Sequence, residues 1–483
     1  MHKLAKLDRQ FVWHPFTQMR DWLKHEPIVI ISGKGAVLRD VHRCEYLDAN
    51  ASIWTNLHGH QNPKINLAIQ RQLKKIAHSS ALGLTNEPAS LLAAKLVEAA
   101  HLNPGRDGIL PSQKLGTAAR RPSLNKVFFS DDGSTALEVA LKLAYEFSRR
   151  TGRANPKFLS LEGAYHGDTV GAVALGHMDL FHKSYSGLLF KTDKVMSPYC
   201  YRCPFNRARP ERADAREYRK CNWKCIDVVE KKFTAQKRKG NSYSVFIFEP
   251  LIQGAVGMIP QPGGWLKRAT QIARSHGALL IADEVMTGFG RCGLPTLFAS
   301  HHEGVHPDFL CLAKGLTGGY LPMAATLTTQ KVFDAFLGEY REFKTFFHGH
   351  SYTANQLGAS AALASLEILQ SGKSIRVRQN LEKILGDELQ MLWSLPNVGD
   401  IRQVGLIAGI ELVRDWRTRE PFDLRKRAGI CVCEAMARRG VLTRPVGNVI
   451  VLMPPYCITT AQVRKMIHAV FDSIREVFGR ARV

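Results

Sequence analysis

A chain of 483 residues, 45% hydrophobic and 22% charged, has the composition of an ordinary globular protein and length enough for two or three domains. Its formal charge of +24 raises nucleic-acid binding, but Lys and Arg are scattered apart from stretches at 106–126 and 202–239, and no familiar nucleic-acid module is present. A basic surface that attracts small anions is the preferred reading. No apolar run reaches the ~18 residues of a membrane span, and Met1-His2-Lys3-Leu4-Ala5-Lys6 lacks the apolar stretch of a secretory signal, so a cytoplasmic protein is expected.

Along the chain, Ile28–Ile31 and Ala36–Leu38 read as short strands around the turn Ser32-Gly33-Lys34-Gly35. The polar, basic segment from Pro104 to Ser123 lacks periodicity and reads as a surface insertion. From about 127 to 350, short apolar strands alternate with amphipathic helices. Val127-Phe128-Phe129 is strand-like, and Ser134 to Arg149 follows as a helix with Leu137, Ala140, Leu141 and Ala144 at helical spacing and a Glu138–Lys142 pair. Val245–Phe248 and Leu279–Ala282 are continuous apolar runs, as expected of strands buried on both faces of a parallel sheet. That alternation predicts an α/β domain. Helices and a small α+β unit (Ile407–Val413, Val449–Met453) are expected beyond 351.

Of ten cysteines, Cys292, Cys311, Cys431, Cys433 and Cys457 read as small buried hydrophobes, and Cys44 is uninformative. Cys200-Tyr201-Arg202-Cys203 and Cys221-Asn222-Trp223-Lys224-Cys225 nearly fit a paired-cysteine zinc pattern, except that three residues separate the second pair. A structural metal and four reduced thiols are both open readings.

Ligands of open α/β sheets collect at the carboxyl ends of strands. Glu249 and Asp283 stand at such ends, and the run Phe309–Ala313 ends on Lys314-Gly315. An ammonium beside buried strands must be paired, deprotonated or covalently used, and a Schiff-base lysine meets that condition. A lysine that snorkels to solvent is the bland alternative. A pyridoxal enzyme also needs an acid for its ring nitrogen, for which Asp283 is the candidate. Its phosphate needs backbone donors at a helix N-terminus, which Ser130-Asp131-Asp132-Gly133-Ser134-Thr135 supplies.

Together these residues resemble the class III aminotransferases, fold-type I pyridoxal-phosphate enzymes. The most specific motif is Ala282-Asp283-Glu284-Val285-Met286-Thr287-Gly288-Phe289-Gly290-Arg291, followed by Lys314-Gly315-Leu316-Thr317-Gly318-Gly319-Tyr320-Leu321-Pro322. Trp13-His14-Pro15-Phe16-Thr17-Gln18-Met19, Glu162–Thr169, Phe347–Thr353 and Leu442–Asn448 are similar to the branch that transaminates 8-amino-7-oxononanoate to 7,8-diaminononanoate in biotin synthesis.

The resemblance implies pyridoxal 5'-phosphate as cofactor and a homodimer, with no nucleic-acid or membrane partner. It also implies a large, mainly parallel α/β domain at 81–350, an N-terminal arm and part of the small domain at 1–80, and a C-terminal α+β small domain at 351–483. By the same resemblance Lys314 anchors the cofactor and shuttles the proton, Asp283 pairs with the ring nitrogen, and Val285 and Tyr165 cover the two ring faces. Gly133 and Ser134 bind the phosphate, joined by Ser351 of the neighbouring subunit. Phe16, Trp54, Gly349 and Arg444 meet the substrate, Arg444 at its carboxylate.

Two departures bear on the amino donor. Phe16 and Ile53 stand where S-adenosylmethionine-using members tend to have Tyr and Trp, which favours lysine as donor. Asp132 stands where Ser is frequent, so its side chain is expected to turn from the phosphate and leave the backbone to bind. The competing functions are another ω-aminotransferase and a nucleic-acid-binding protein using the cysteine and basic loops.

Overall fold

The computed structural model describes residues 1–101, 123–176 and 178–479, so the basic insertion read at 104–123 lies outside the described residues apart from Ser123. A seven-stranded sheet carries the site. In spatial order its strands are Leu124–Ser130, Ala324–Thr329, Phe309–Leu312, Leu279–Asp283, Val245–Phe248, Phe158–Leu161 and Asp193–Val195. The pairings among the last five are parallel, and Ala324–Thr329 runs antiparallel to both neighbours.

The apolar runs are continuous because both faces of this sheet are covered. Phe246, Phe248, Leu280, Ala282, Leu310 and Leu312 enter one core, while Val245, Ile247, Ile281, Phe309 and Cys311 enter the other. Alternate residues along a strand point to opposite faces, so two layers of packing need apolar residues at every position. Each fully buried Ile, Leu or Phe contributes roughly 1.5–3 kcal/mol. Helix Gly133–Arg150 lies on the second face, burying Leu137, Ala140, Leu141 and Ala144 as their spacing predicts. The Glu138–Lys142 pair does not form. Glu138 Oε1 instead accepts from Thr169 Oγ1 at 2.6 Å and Gly171 N at 2.9 Å, and Lys142 Nζ lies 3.1 Å from His348 Nδ1. A carboxylate at the start of helix Val170–Gly176 satisfies open N–H groups there, a stronger attraction than an exposed lysine.

The two ends of the chain meet in one small sheet. Ile30–Lys34, Val37–Asp40 and Glu45–Asp48 form an antiparallel meander, closed by Val441–Leu442 running parallel to Leu47–Asp48. A second antiparallel sheet joins Val398–Val404, Ile407–Leu412, Val449–Leu452 and Pro445–Val446. Buried Arg402 ties this sheet to the turn at Gly257. Its guanidinium reaches Asp400 Oδ2 at 3.0 Å, Glu411 Oε2 at 2.7 Å and the carbonyl of Gly257 at 2.6 Å.

All ten cysteines are free thiols. Cys292, Cys311 and Cys433 are buried as expected, whereas Cys431 is half-buried and Cys457 exposed, on a helix and a loop where neither is fully covered. Cys200 opens a 3-10 turn and Cys225 sits in the first turn of helix Lys224–Arg238, and burial pushes their thiols up to about 12 and about 11. Among the described residues, no group of three or more His, Cys, Asp or Glu is placed to hold a metal ion.

Candidate active site

At the carboxyl ends of the central strands a cavity of ≈ 450 Å³ opens. Leu279–Asp283 delivers Asp283 to it, and Val245–Phe248 is followed directly by Glu249. Phe309–Leu312 is followed by Lys314. Lys314 takes a left-handed backbone (φ 41°), which a non-glycine residue holds only when its surroundings impose it. Its Nζ lies 5.4 Å from the centre of the Trp54 ring. Enclosure of the ammonium pushes its pKa below the ordinary lysine value, against the pull of Asp283, Glu249 and Asp132. A lysine so placed is not snorkelling.

Asp283 accepts from Val285 N at Oδ1 (3.1 Å) and meets His166 Nδ1 at Oδ2 (2.7 Å). Glu249 accepts from Tyr165 N at 3.2 Å and Gly254 N at 2.8 Å. Burial, then Asp283, raise its carboxyl to about 7, against the two N–H donors. The Tyr165 hydroxyl donates to Asp168 Oδ2 at 2.6 Å, leaving the ring to wall the cavity. Burial and that carboxylate keep the phenol protonated.

The start of helix Gly133–Arg150 also borders the cavity. Asp132 caps it: Oδ1 accepts from Thr135 N at 2.8 Å, and Thr135 Oγ1 accepts from Asp132 N at 2.9 Å. The carboxylate is thereby folded onto the helix, and Gly133 and Ser134, also lining the cavity, follow with N–H groups that begin the helix. A Cβ on Gly133 would meet Val285 Cγ1 at 2.7 Å, so only glycine lets the loop approach there.

A further wall carries Trp54 on a backbone that no sequence pattern announces. Ala51, Ser52, Ile53 and Trp54 all have positive φ (45°, 49°, 61° and 70°), a left-handed turn in a stretch without glycine. Asp48 clamps it, with Oδ1 accepting from Ser52 N at 3.0 Å and Oδ2 from Ser52 Oγ at 2.8 Å. The turn points Trp54 into the cavity, with its Nε1 buried and without a hydrogen-bond partner.

Of the residues expected at the site, Lys314, Asp283, Tyr165, Val285, Gly133, Ser134 and Trp54 line this cavity. Phe16, Gly349, Ser351 and Arg444 are outside its lining and exposed in the single chain. Phe16 packs edge-on against Phe181 at 5.3 Å. Gly349 and Ser351 flank His350, whose Nδ1 lies 3.3 Å from Asp131 in the helix-start loop. The sequence reading gave no role to His166, although it falls within a quoted motif. Its partner Asp283 is 117 residues away, and only the fold brings them together.

An enclosed lysine, an acid at a strand end and the first N–H groups of a helix in the lining of one cavity fit pyridoxal phosphate: amine to aldehyde, carboxylate to ring nitrogen, N–H groups to phosphate. Fold and site together define a fold-type I pyridoxal-phosphate enzyme. The family model for aminotransferase class III matches residues 19–474. A curated adenosylmethionine-8-amino-7-oxononanoate aminotransferase of Geobacter sulfurreducens is 45% identical over 99% of this chain and 98% of its own. The protein of the same name from Methanocaldococcus jannaschii is 41% identical, over 98% of each chain. A crystal structure of that aminotransferase superposes with a TM-score of 0.86 at 39% identity, covering 98% of both chains. An omega transaminase from Pseudomonas jessenii, solved in complex with PMP, gives 0.86 at 25% identity over 99% of both. The chain belongs to the class III aminotransferases, and its cofactor is pyridoxal 5'-phosphate.

Proposed function

We propose that this enzyme transaminates 8-amino-7-oxononanoate to 7,8-diaminononanoate, the step of biotin synthesis for which its relatives are named. The observation that carries this reading is one cavity gathering Lys314, Asp283 and the Gly133–Ser134 helix start, in a chain so similar to those relatives along its whole length. Pyridoxal 5'-phosphate, when bound, supplies an electron sink for the carbon that loses its proton. Lys314 would hold it covalently, and its freed amine would move the proton of the reacting substrate carbon. The depressed affinity of its amine for protons suits both tasks. Asp283 would hold the ring nitrogen, Tyr165 and Val285 would cover the ring, and Gly133 and Ser134 would hold the phosphate, all from the lining of the one cavity.

Trp54, Phe16, Gly349 and Arg444 receive the substrate, Arg444 gripping its carboxylate with a guanidinium fork. The exposure of Gly349, Ser351, Arg444 and Phe16 in one chain agrees with a site completed in a homodimer, where Ser351 reaches the partner's phosphate. No helix among the described residues is long and apolar enough to cross a membrane.

Phe16 and Ile53 favour lysine as amino donor, because Phe16 has no hydroxyl to donate and Ile53 offers no aromatic face to a sulfonium. A cation–π contact contributes about 0.5–2 kcal/mol. The name of the relatives favours S-adenosylmethionine. Stopped-flow loss of the bound cofactor's visible band with each donor separates them, lysine being expected to react faster. The overall reading is tested by supplying donor and then 8-amino-7-oxononanoate and weighing the product. The diamine is the expected product, and turnover of 4-aminobutyrate or ornithine without it would replace this substrate assignment.

A further inference from the structure

The acid that faces the ring nitrogen is itself held from behind. His166 is fully enclosed, its side chain 0% exposed, with Nδ1 2.7 Å from Asp283 Oδ2. Its Nε2 is buried with no hydrogen-bond partner. A carboxylate has no proton to offer, so the Nδ1···Oδ2 contact requires the proton on His166 Nδ1. Asp283 Oδ1 already accepts from Val285 N. One donor on each oxygen fixes the orientation of the carboxylate and still leaves each oxygen a second lone pair for the ring nitrogen. The other ring nitrogen decides the charge of the histidine. A protonated imidazole would leave a charged N–H on Nε2 with no acceptor in a dry interior, which is costlier than leaving a lone pair there.

We propose that His166 is a positioning residue for the cofactor: as the neutral Nδ1–H tautomer, it keeps Asp283 ionised and aimed at the ring nitrogen. This rests on the reading that Asp283 pairs with that nitrogen. Neutral His166 leaves the pair with a net charge of −1, the charge that holds a proton on the ring. A cationic His166 would cancel it. Glu249 borders the same pocket, and its oxygens take the N–H groups of Tyr165 and Gly254. It therefore fixes the backbone of the residue next to His166 without competing for Asp283.

The test loads the enzyme with cofactor labelled with 15N at the ring nitrogen and reads its chemical shift, with cofactor dissociation measured alongside. In wild type the nitrogen is expected to be protonated. In His166→Ala it should lose the proton or titrate within the working pH range, and the cofactor should dissociate about ten- to a hundredfold more readily, as for a lost charge-assisted hydrogen bond. His166→Asn, whose amide can donate from nearly the same place, should restore both. An unprotonated ring nitrogen in wild type would overturn the Asp283 reading and this inference with it. A protonated nitrogen unchanged in a folded His166→Ala would overturn the inference alone. Neutron diffraction of the wild-type holoenzyme needs no variant: a deuteron on His166 Nδ1 and none on Nε2 supports the proposal, and one on Nε2 contradicts it.

Discussion

Glu249 and Arg444 make opposite demands on their surroundings, and each leads to a measurement. Glu249 is buried at a strand end with its carboxyl raised to about 7 from an ordinary 4.5. A carboxyl whose folded value exceeds its unfolded one binds its proton more tightly when folded. Its contribution to stability is complete below pH 4.5 and is lost as pH climbs through about 7. Glu249→Gln carries no titrating group. Denaturant unfolding of the apo-enzyme between those limits should therefore show wild type losing up to about 3 kcal/mol relative to the variant. Parallel pH profiles would mean that Glu249 is ionised throughout. Arg444, by contrast, is exposed, before the short strand Pro445–Val446. Arg444→Ala should weaken 8-amino-7-oxononanoate by about 1.5–3 kcal/mol, the range for a charge-assisted hydrogen bond, and leave the donor half-reaction largely intact. Equal loss in both halves would assign it a structural role. Lys314, Asp283 and the glycine–serine loop were legible in the sequence because each ends or begins an element with a clear pattern. His166 was not, since no local pattern announces a hydrogen bond across 117 residues.

The strands of the large sheet were legible for the same reason: packing on both faces writes an unbroken apolar run. Ala324–Thr329 escaped notice because Ala-Ala-Thr-Leu-Thr-Thr is small and half polar, yet all six residues are buried. Thr326 and Thr328 settle their hydroxyls on the carbonyls of Ala136 and Asp308, at 2.8 and 3.1 Å. The left-handed turn Ala51–Trp54 was equally hidden, being imposed by Asp48 rather than by residues that favour positive φ. Left-handed backbone costs roughly 1–2 kcal/mol per residue, so the clamp must be strong. Asp48→Ala should destabilise the protein by about 1.5–3 kcal/mol and slow both half-reactions by displacing Trp54. A thermal melt unchanged from wild type would show that packing alone holds the turn. At the phosphate end, Gly133→Ala improves helix propensity by up to ~1 kcal/mol but places a Cβ 2.7 Å from Val285 Cγ1. Cofactor affinity should fall at least tenfold while the apo-protein stays folded. Unchanged affinity would place the phosphate elsewhere.

At the scale of the whole molecule, the chain exposes Trp13 (86%), Leu82 (92%), Tyr340 (90%) and Phe347 (69%), more large apolar surface than a lone subunit comfortably presents to water. The proposed homodimer would cover it. Light scattering should give about twice the chain mass of 53.9 kDa. A monomer at working concentration would remove Ser351 from the phosphate site. The basic charge that suggested nucleic acid finds another use in part. Arg202, Arg216 and Arg402 are held by Glu411, Asp214 and Asp400 within the fold. Everything proposed here converges on the amine of Lys314, and borohydride reduction of the holoenzyme followed by peptide mass spectrometry tests it most directly. The account predicts one reduced pyridoxyl phosphate per chain on the peptide containing Lys314, absent from Lys314→Ala. A label on another lysine, or none on a protein that still turns over, would contradict it.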